Sequence, residues 1–181
     1  MKKLAIAVSL ITASGFTGLA PAASTGTITF NGELTANTCD VVVDGQAADA
    51  TVTLPTIGIG QLQTPARTAG DTGFIMALSN CAGTLQTASA FFEAGASVDL
   101  VTGRLKNTVG NATNVSLQLL DGSSSSLSVI QAGNAGQVTN TIYKNISSGS
   151  ASLPYVVRYY AEAPTTAGTV VSNVVYSIQY Q

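Results

Sequence analysis

The last stretch of the chain, Val174-Val175-Tyr176-Ser177-Ile178-Gln179-Tyr180, alternates side-chain character almost to the final residue. Val170, Val174, Tyr176, Ile178 and Tyr180 share one parity, and Asn173, Ser177, Gln179 and Gln181 share the other. A two-residue period is that of a half-buried strand. A strand that runs to the chain end has to be paired to stay ordered, because termini fray otherwise. Helices are disfavoured for the same chain on composition: only 9% of residues are charged, too few to supply the polar faces that amphipathic surface helices need.

The same period recurs upstream in Thr27-Ile28-Thr29-Phe30, Thr51-Val52-Thr53-Leu54 and Val115-Ser116-Leu117-Gln118-Leu119. Phe74-Ile75-Met76-Ala77-Leu78 and Tyr155-Val156-Val157 are more uniformly apolar, as strands covered on both faces would be. Asp44-Gly45, Asp71-Thr72-Gly73, Asp121-Gly122 with the serines that follow, and Ala132 to Gly136 read as turns. Many short strands punctuated by turns predict an all-β sandwich.

The start of the chain has to be set aside before its size is judged. Lys2 and Lys3, the apolar run Leu4 to Ala13 and the small residues of Ala20-Pro21-Ala22 form the pattern of a signal peptide, residues 1–22, cleaved after Ala22. The run is broken by Ser9, Thr12, Ser14 and Gly15 and is too short for a spanning helix, which needs about 20 apolar residues. The remaining 159 residues (181 less 22) amount to one domain. That mature chain keeps five basic residues against nine acidic, a net charge of −4, which argues against nucleic acid or an anionic membrane surface as a partner. Export also favours joining the two cysteines, Cys39 and Cys81, since the compartment is oxidising.

Catalytic chemistry is thin. With no histidine in the sequence, Ser-His-Asp and Cys-His arrangements are impossible, and two cysteines alone do not make a usual zinc shell. Glu93 and Asp99 read as solvated loop charges, Gly58-Ile59-Gly60 is too short for a dinucleotide fingerprint, and Asn111-Ala112-Thr113 and Asn145-Ile146-Ser147 match a glycan-acceptor pattern common by chance. The expectation is a protein that is not an enzyme, with no cofactor, metal or small-molecule substrate.

Near the mature N-terminus, Ser24, Gly26, Ile28 and Phe30 fall on one side and Thr25, Thr27 and Thr29 on the other. Such a strand either belongs to its own domain or is lent to a sheet with an open edge elsewhere. Its pattern leaves both open.

Five ordered stretches resemble one known family. They are Phe30-Asn31-Gly32-Glu33-Leu34 ahead of Cys39, Phe74 to Cys81, Ala112 to Asp121, Pro154-Tyr155 through Tyr160, and a terminal motif with Gly168 fourteenth from the end and Tyr180 penultimate. Together they are similar to the chaperone-usher pilins, in particular the major rod subunits of type 1 pili. The resemblance implies an incomplete immunoglobulin-like β-sandwich, residues 32–181, lacking its last strand and completed by a donor strand. It implies that residues 23–31 form that donor for a neighbouring copy, with Ser24, Gly26, Ile28 and Phe30 pointing into successive pockets. The acceptor groove is implied to lie along Gly168, Val170, Val174, Tyr176, Ile178, Tyr180 and Gln181. Implied partners are a periplasmic pilus chaperone, an outer-membrane usher and further copies in a helical homopolymer, with the product an extracellular fimbria. A minor adaptor subunit, a tip adhesin and a secreted carbohydrate-binding sandwich are the competing readings.

Overall fold

The computed structural model describes residues 26–32, 34, 36 and 38–181. The predicted signal peptide, residues 1–22, and the predicted donor residue Ser24 lie outside the described residues. The chain divides into two units, Met1–Glu33 and Leu34–Gln181.

The described residues of the larger unit form nine strands: β1 (Thr38–Val43), β2 (Thr68–Ala82), β3 (Thr87–Phe92), β4 (Leu105–Lys106), β5 (Val115–Asp121), β6 (Ser128–Ile130), β7 (Lys144–Asn145), β8 (Ala151–Ala161) and β9 (Tyr176–Tyr180). Its described helical content is a single 3-10 turn at Ile59–Leu62 and one α-turn, α1, at Gln137–Asn140. The strands form two antiparallel sheets. The larger runs β1-β2-β8-β5-β4, with β6 also on β5, and the smaller runs β7-β3-β9.

The core lies between them. Phe74, Met76 and Leu78 of β2, Leu117 and Leu119 of β5, and Leu153, Tyr155 and Val157 of β8 meet Ala88, Ala90 and Phe92 of β3. The small alanines let the second sheet approach closely, and Phe92 then stands edge-on to the Tyr155 ring with centroids 5.1 Å apart and planes at 88°.

Several strand expectations need correcting. Phe74–Leu78 is covered on one face only: Ile75 is 48% exposed between buried Phe74 and Met76, and Val156 is likewise less buried than Tyr155 and Val157. The strand covered throughout is β5, whose pattern looked half-polar. Its outward face is roofed by polar side chains. The Ser116 hydroxyl donates to Glu162 at 2.6 Å, Arg158 donates to Gln118 at 2.8 and 3.0 Å, and Arg104 forks onto Glu162 while its guanidinium lies 4.0 Å over the Tyr160 ring. Asp71-Thr72-Gly73 is not a turn but sits inside β2, where the ladder with β8 slips between Ala69 and Thr72 beside left-handed Gly70. Thr51–Leu54 alternates in burial as expected, and Thr27–Phe30 is exposed throughout, but neither joins a ladder among the described residues. β9 begins at Tyr176, two residues later than its pattern suggested.

Candidate functional site: an open groove beside the last strand

β9 is held on one side only. Its ladder with β3 pairs Tyr180 with Ala88, Ile178 with Ala90 and Tyr176 with Phe92. The cross-strand bonds nearest the ends fall at odd-numbered residues: Thr87 and Gln181 exchange both N–H···O bonds at 2.9 Å, and the Glu93 N–H donates to the Val175 carbonyl at 2.8 Å. Because bonding direction alternates along an antiparallel strand, the backbone groups of Tyr176, Ile178 and Tyr180 point to the other edge. No strand pairs with that edge among the described residues.

A groove lies there instead. One part, about 490 Å³, is floored by the core side chains Phe74, Met76, Phe92, Leu117 and Leu119 and walled by Val171–Val174 and Tyr176. A second part, about 650 Å³, lies between Cys39–Val41 of β1 and Val174–Ile178. The residues along it show what is missing. Val170, Ser172, Val174, Tyr176, Ile178 and Tyr180 are all only half-buried, whereas Val171, Asn173, Val175 and Ser177 are exposed. The parity read from the sequence holds, but its inward face is left unfinished. Across the groove Val41, Val52 and Leu54 are likewise half-buried against the core.

Both ends of the terminal segment are tightly fixed. At its start the tie is made by two asparagines. Asn107 Oδ1 accepts from the Val171 N–H at 2.8 Å, and Asn111 Oδ1 accepts from the Thr169 N–H at 2.7 Å. Gly168 is required here by contact: a β-carbon would stand 2.6 Å from the Ala112 nitrogen, and its φ of +157° is one that side-chain-bearing residues rarely adopt. At the end, the Gln181 backbone oxygen accepts from the N–H groups of Gln86 and Thr87, both at 2.9 Å, and from the Thr87 hydroxyl at 3.1 Å. Asn107 and Asn111 carry no strand or pocket signal in the sequence, and Asn111 had been noted only as a glycan-acceptor match.

Cys39 of β1 and Cys81 of β2 form a disulfide. It fixes the groove's far lip to the larger sheet. In the smaller unit, Ile28 and Phe30 stand 77% and 89% exposed, and a β-carbon at Gly26 would meet nothing within 4 Å.

A model of the family described as type-1 fimbrial protein, A (FimA) matches residues 54–181. The major fimbrial subunit SMF-1 of Stenotrophomonas maltophilia is 44% identical over 167 residues, covering 90% of this chain and 96% of the relative. The chain belongs to the type-1 fimbrial protein family. This pilin is also 32% identical to a major fimbrial subunit of Haemophilus influenzae over the full length of both chains. Among solved structures, the P pilus rod subunit PapA superposes with a TM-score of 0.59 at 14% identity, over 79% of this chain and 99% of that one, a likeness of fold. The pilin is a structural subunit of a cell-surface fimbria.

Proposed function

We propose that this pilin polymerises by strand donation, residues 23–31 of one copy filling the groove beside β9 of the next. The observation that carries the reading is that one chain holds both a strand edge with no partner strand among the described residues, over an unfinished core, and a segment of alternating pattern that exposes Ile28 and Phe30. Burying each of those side chains is worth roughly 1.5–3 kcal/mol, to which the satisfied edge of β9 adds. Gly26 and Ser24 extend the same inward parity toward the mature terminus.

An exposed edge of this kind invites uncontrolled pairing, so the subunit needs a temporary strand before assembly. The partner that supplies it is a periplasmic chaperone, lying along Val170, Val174, Tyr176, Ile178 and Tyr180 and meeting the Gln181 carboxylate. An outer-membrane usher is then the site of exchange. In this reading the chain is a building block, not a catalyst, and reaches the surface through the periplasm after loss of residues 1–22.

Deleting residues 23–30 from the mature protein tests it. The truncated chain is expected to co-purify with the chaperone and to form no fibres by electron microscopy. Fibres of ordinary length from the truncated chain would sink the proposal.

A further inference from the structure

Asn31 is the one asparagine of the sequence that is followed by glycine. Both residues of the pair are exposed and lie outside the described strands, where the segment assigned to donation meets the domain. A β-carbon at Gly32 would meet nothing within 4 Å, so the peptide joining them is uncrowded. An asparagine amide placed in this way reacts with its own backbone. The Gly32 nitrogen, having lost its proton to hydroxide, attacks Asn31 Cγ. The new N–Cγ bond closes a succinimide ring as the Cγ–Nδ2 bond breaks, and the amide leaves as ammonia. Water then opens the ring at either carbonyl and yields aspartate or isoaspartate. Water is the only co-reactant.

Elsewhere the same chemistry is held back. Asn107, Asn111 and Asn114 bond neighbouring backbone through their side chains and precede Thr, Ala and Val, whose β-carbons hinder the attack. Asp44-Gly45 and Asp121-Gly122 could close the ring with loss of water, but their carboxylates are held. Asp44 Oδ1 accepts from the Ile75 N–H at 2.7 Å, and the two oxygens of buried Asp121 accept from the N–H groups of Ser123 and Ile142, both at 2.8 Å.

We propose that Asn31-Gly32 is a self-modifying deamidation site that runs in the unassembled subunit and is arrested in the fibre. The reaction stands on the pair alone, and its arrest rests on the strand-donation reading. Ring closure needs the Asn31 backbone to swing out of the extended conformation so that the Gly32 nitrogen meets Cγ, and a seated donor strand is held extended by its ladder of hydrogen bonds. The product adds one negative charge to a mature chain already at −4. Isoaspartate also routes the main chain through the side chain, lengthening the link between donor and domain. A subunit that waits unassembled is thereby marked.

The test incubates the full-length mature chain at mildly alkaline pH, as refolded subunit and as fibres, and digests both with trypsin. Arg67 is the first basic residue after the signal peptide, so residues 23–67 leave as one peptide. Its isoaspartate is read by methyl transfer from an isoaspartyl methyltransferase and placed by fragment masses. The subunit is expected to react at Asn31 about tenfold faster than at any other asparagine, and the fibre about tenfold more slowly than the subunit. Gly32→Ala is expected to slow the reaction by about tenfold, since a β-carbon restricts the backbone turn that closes the ring, and Asn31→Gln to abolish it. Undiminished label in Asn31→Gln, or equal rates with Gly32 and with Ala, would overturn the site. Equal rates in subunit and fibre, with fibres still abolished by deletion of residues 23–30, would overturn the arrest and leave strand donation in place. Fibres grown from the truncated chain would remove donation and the arrest together, with the reaction in the subunit still standing.

Discussion

The two edges of the small sheet are finished in opposite ways. On the far edge of β3, β7 pairs only with Thr87 and Ala88, and farther along side chains and the Gly133 N–H meet the backbone of Ala90 and Phe92. The Tyr155 hydroxyl accepts the Ala90 N–H at 2.9 Å, and the buried Gln137 amide accepts from the Phe92 N–H and donates to the Phe92 carbonyl, both at 3.0 Å. Among the described residues β9 has no such internal substitute for a partner strand. Its outer backbone faces the groove, which is crossed by two side chains: the Tyr176 hydroxyl donates to the Ala48 carbonyl and Tyr180 bonds the Cys39 backbone. The same chain can therefore close an edge with two side chains when nothing is to dock there. Leaving the other edge open is a property of where those side chains are placed, and not of any shortage of suitable residues.

The largest expected effect tests what holds the open edge in shape. Among the described residues β1 pairs with β2 alone, and the Cys39–Cys81 bond is the covalent part of that attachment. It closes a loop of 42 residues, for which the chain-entropy model gives about 4 kcal/mol. Replacing both cysteines by serine is expected to lower the urea midpoint of the unassembled subunit by a corresponding amount. The loss of stability should be smaller in fibres, where a donor strand also holds the lip. Equal losses in both states would mean that a donor strand does not help to hold the lip.

The closed edge is expected to respond differently. Gln137→Ala strips the partner from the buried Phe92 N–H, while the Phe92 carbonyl keeps the Gly133 N–H at 2.8 Å, and a buried backbone group left unpaired costs about 1–3 kcal/mol. That loss should appear equally in subunit and fibre, measured by urea unfolding, because no donor strand touches this edge. A cost confined to the unassembled subunit would erase the contrast between the edges.

How much of this was legible beforehand follows from what each feature depends on. The terminal strand was readable because alternation is local: Tyr176, Ile178 and Tyr180 share a face whatever surrounds them. The direction each strand faces in the stack was not, because it is set by distant partners. Ile75 is exposed although its neighbours are apolar, and β5 is covered because Arg104, Arg158, Tyr160 and Glu162, spread over 58 residues of sequence, converge on it. Gln137 and the asparagine ties at Asn107 and Asn111 were invisible for the same reason. A polar residue replacing a strand's partner has no periodicity of its own. The five family stretches carried the incomplete sandwich into view, yet the reach of Tyr176 across the groove rests on one hydroxyl meeting the Ala48 carbonyl, which no pattern encodes.

The smallest effect distinguishes the edges by titration. Burial raises the phenol of Tyr155, at the closed edge, above its ordinary value near 10, and burial does the same for Tyr176 and Tyr180 at the open one, with the Asp49 carboxylate adding to it at Tyr176. A raised phenol favours the protonated form in the folded state. Its contribution is complete below the unfolded value and is lost as pH climbs through the folded one, so stability should fall above about pH 10. A donor strand would cover Tyr176 and Tyr180 further while leaving Tyr155 as it is. Tyrosinate absorbance is therefore expected to rise at higher pH in fibres than in freshly refolded subunits. The difference should shrink in Tyr176→Phe and persist in Tyr155→Phe. Superimposable titrations of subunit and fibre would place the donor strand somewhere other than over these two rings.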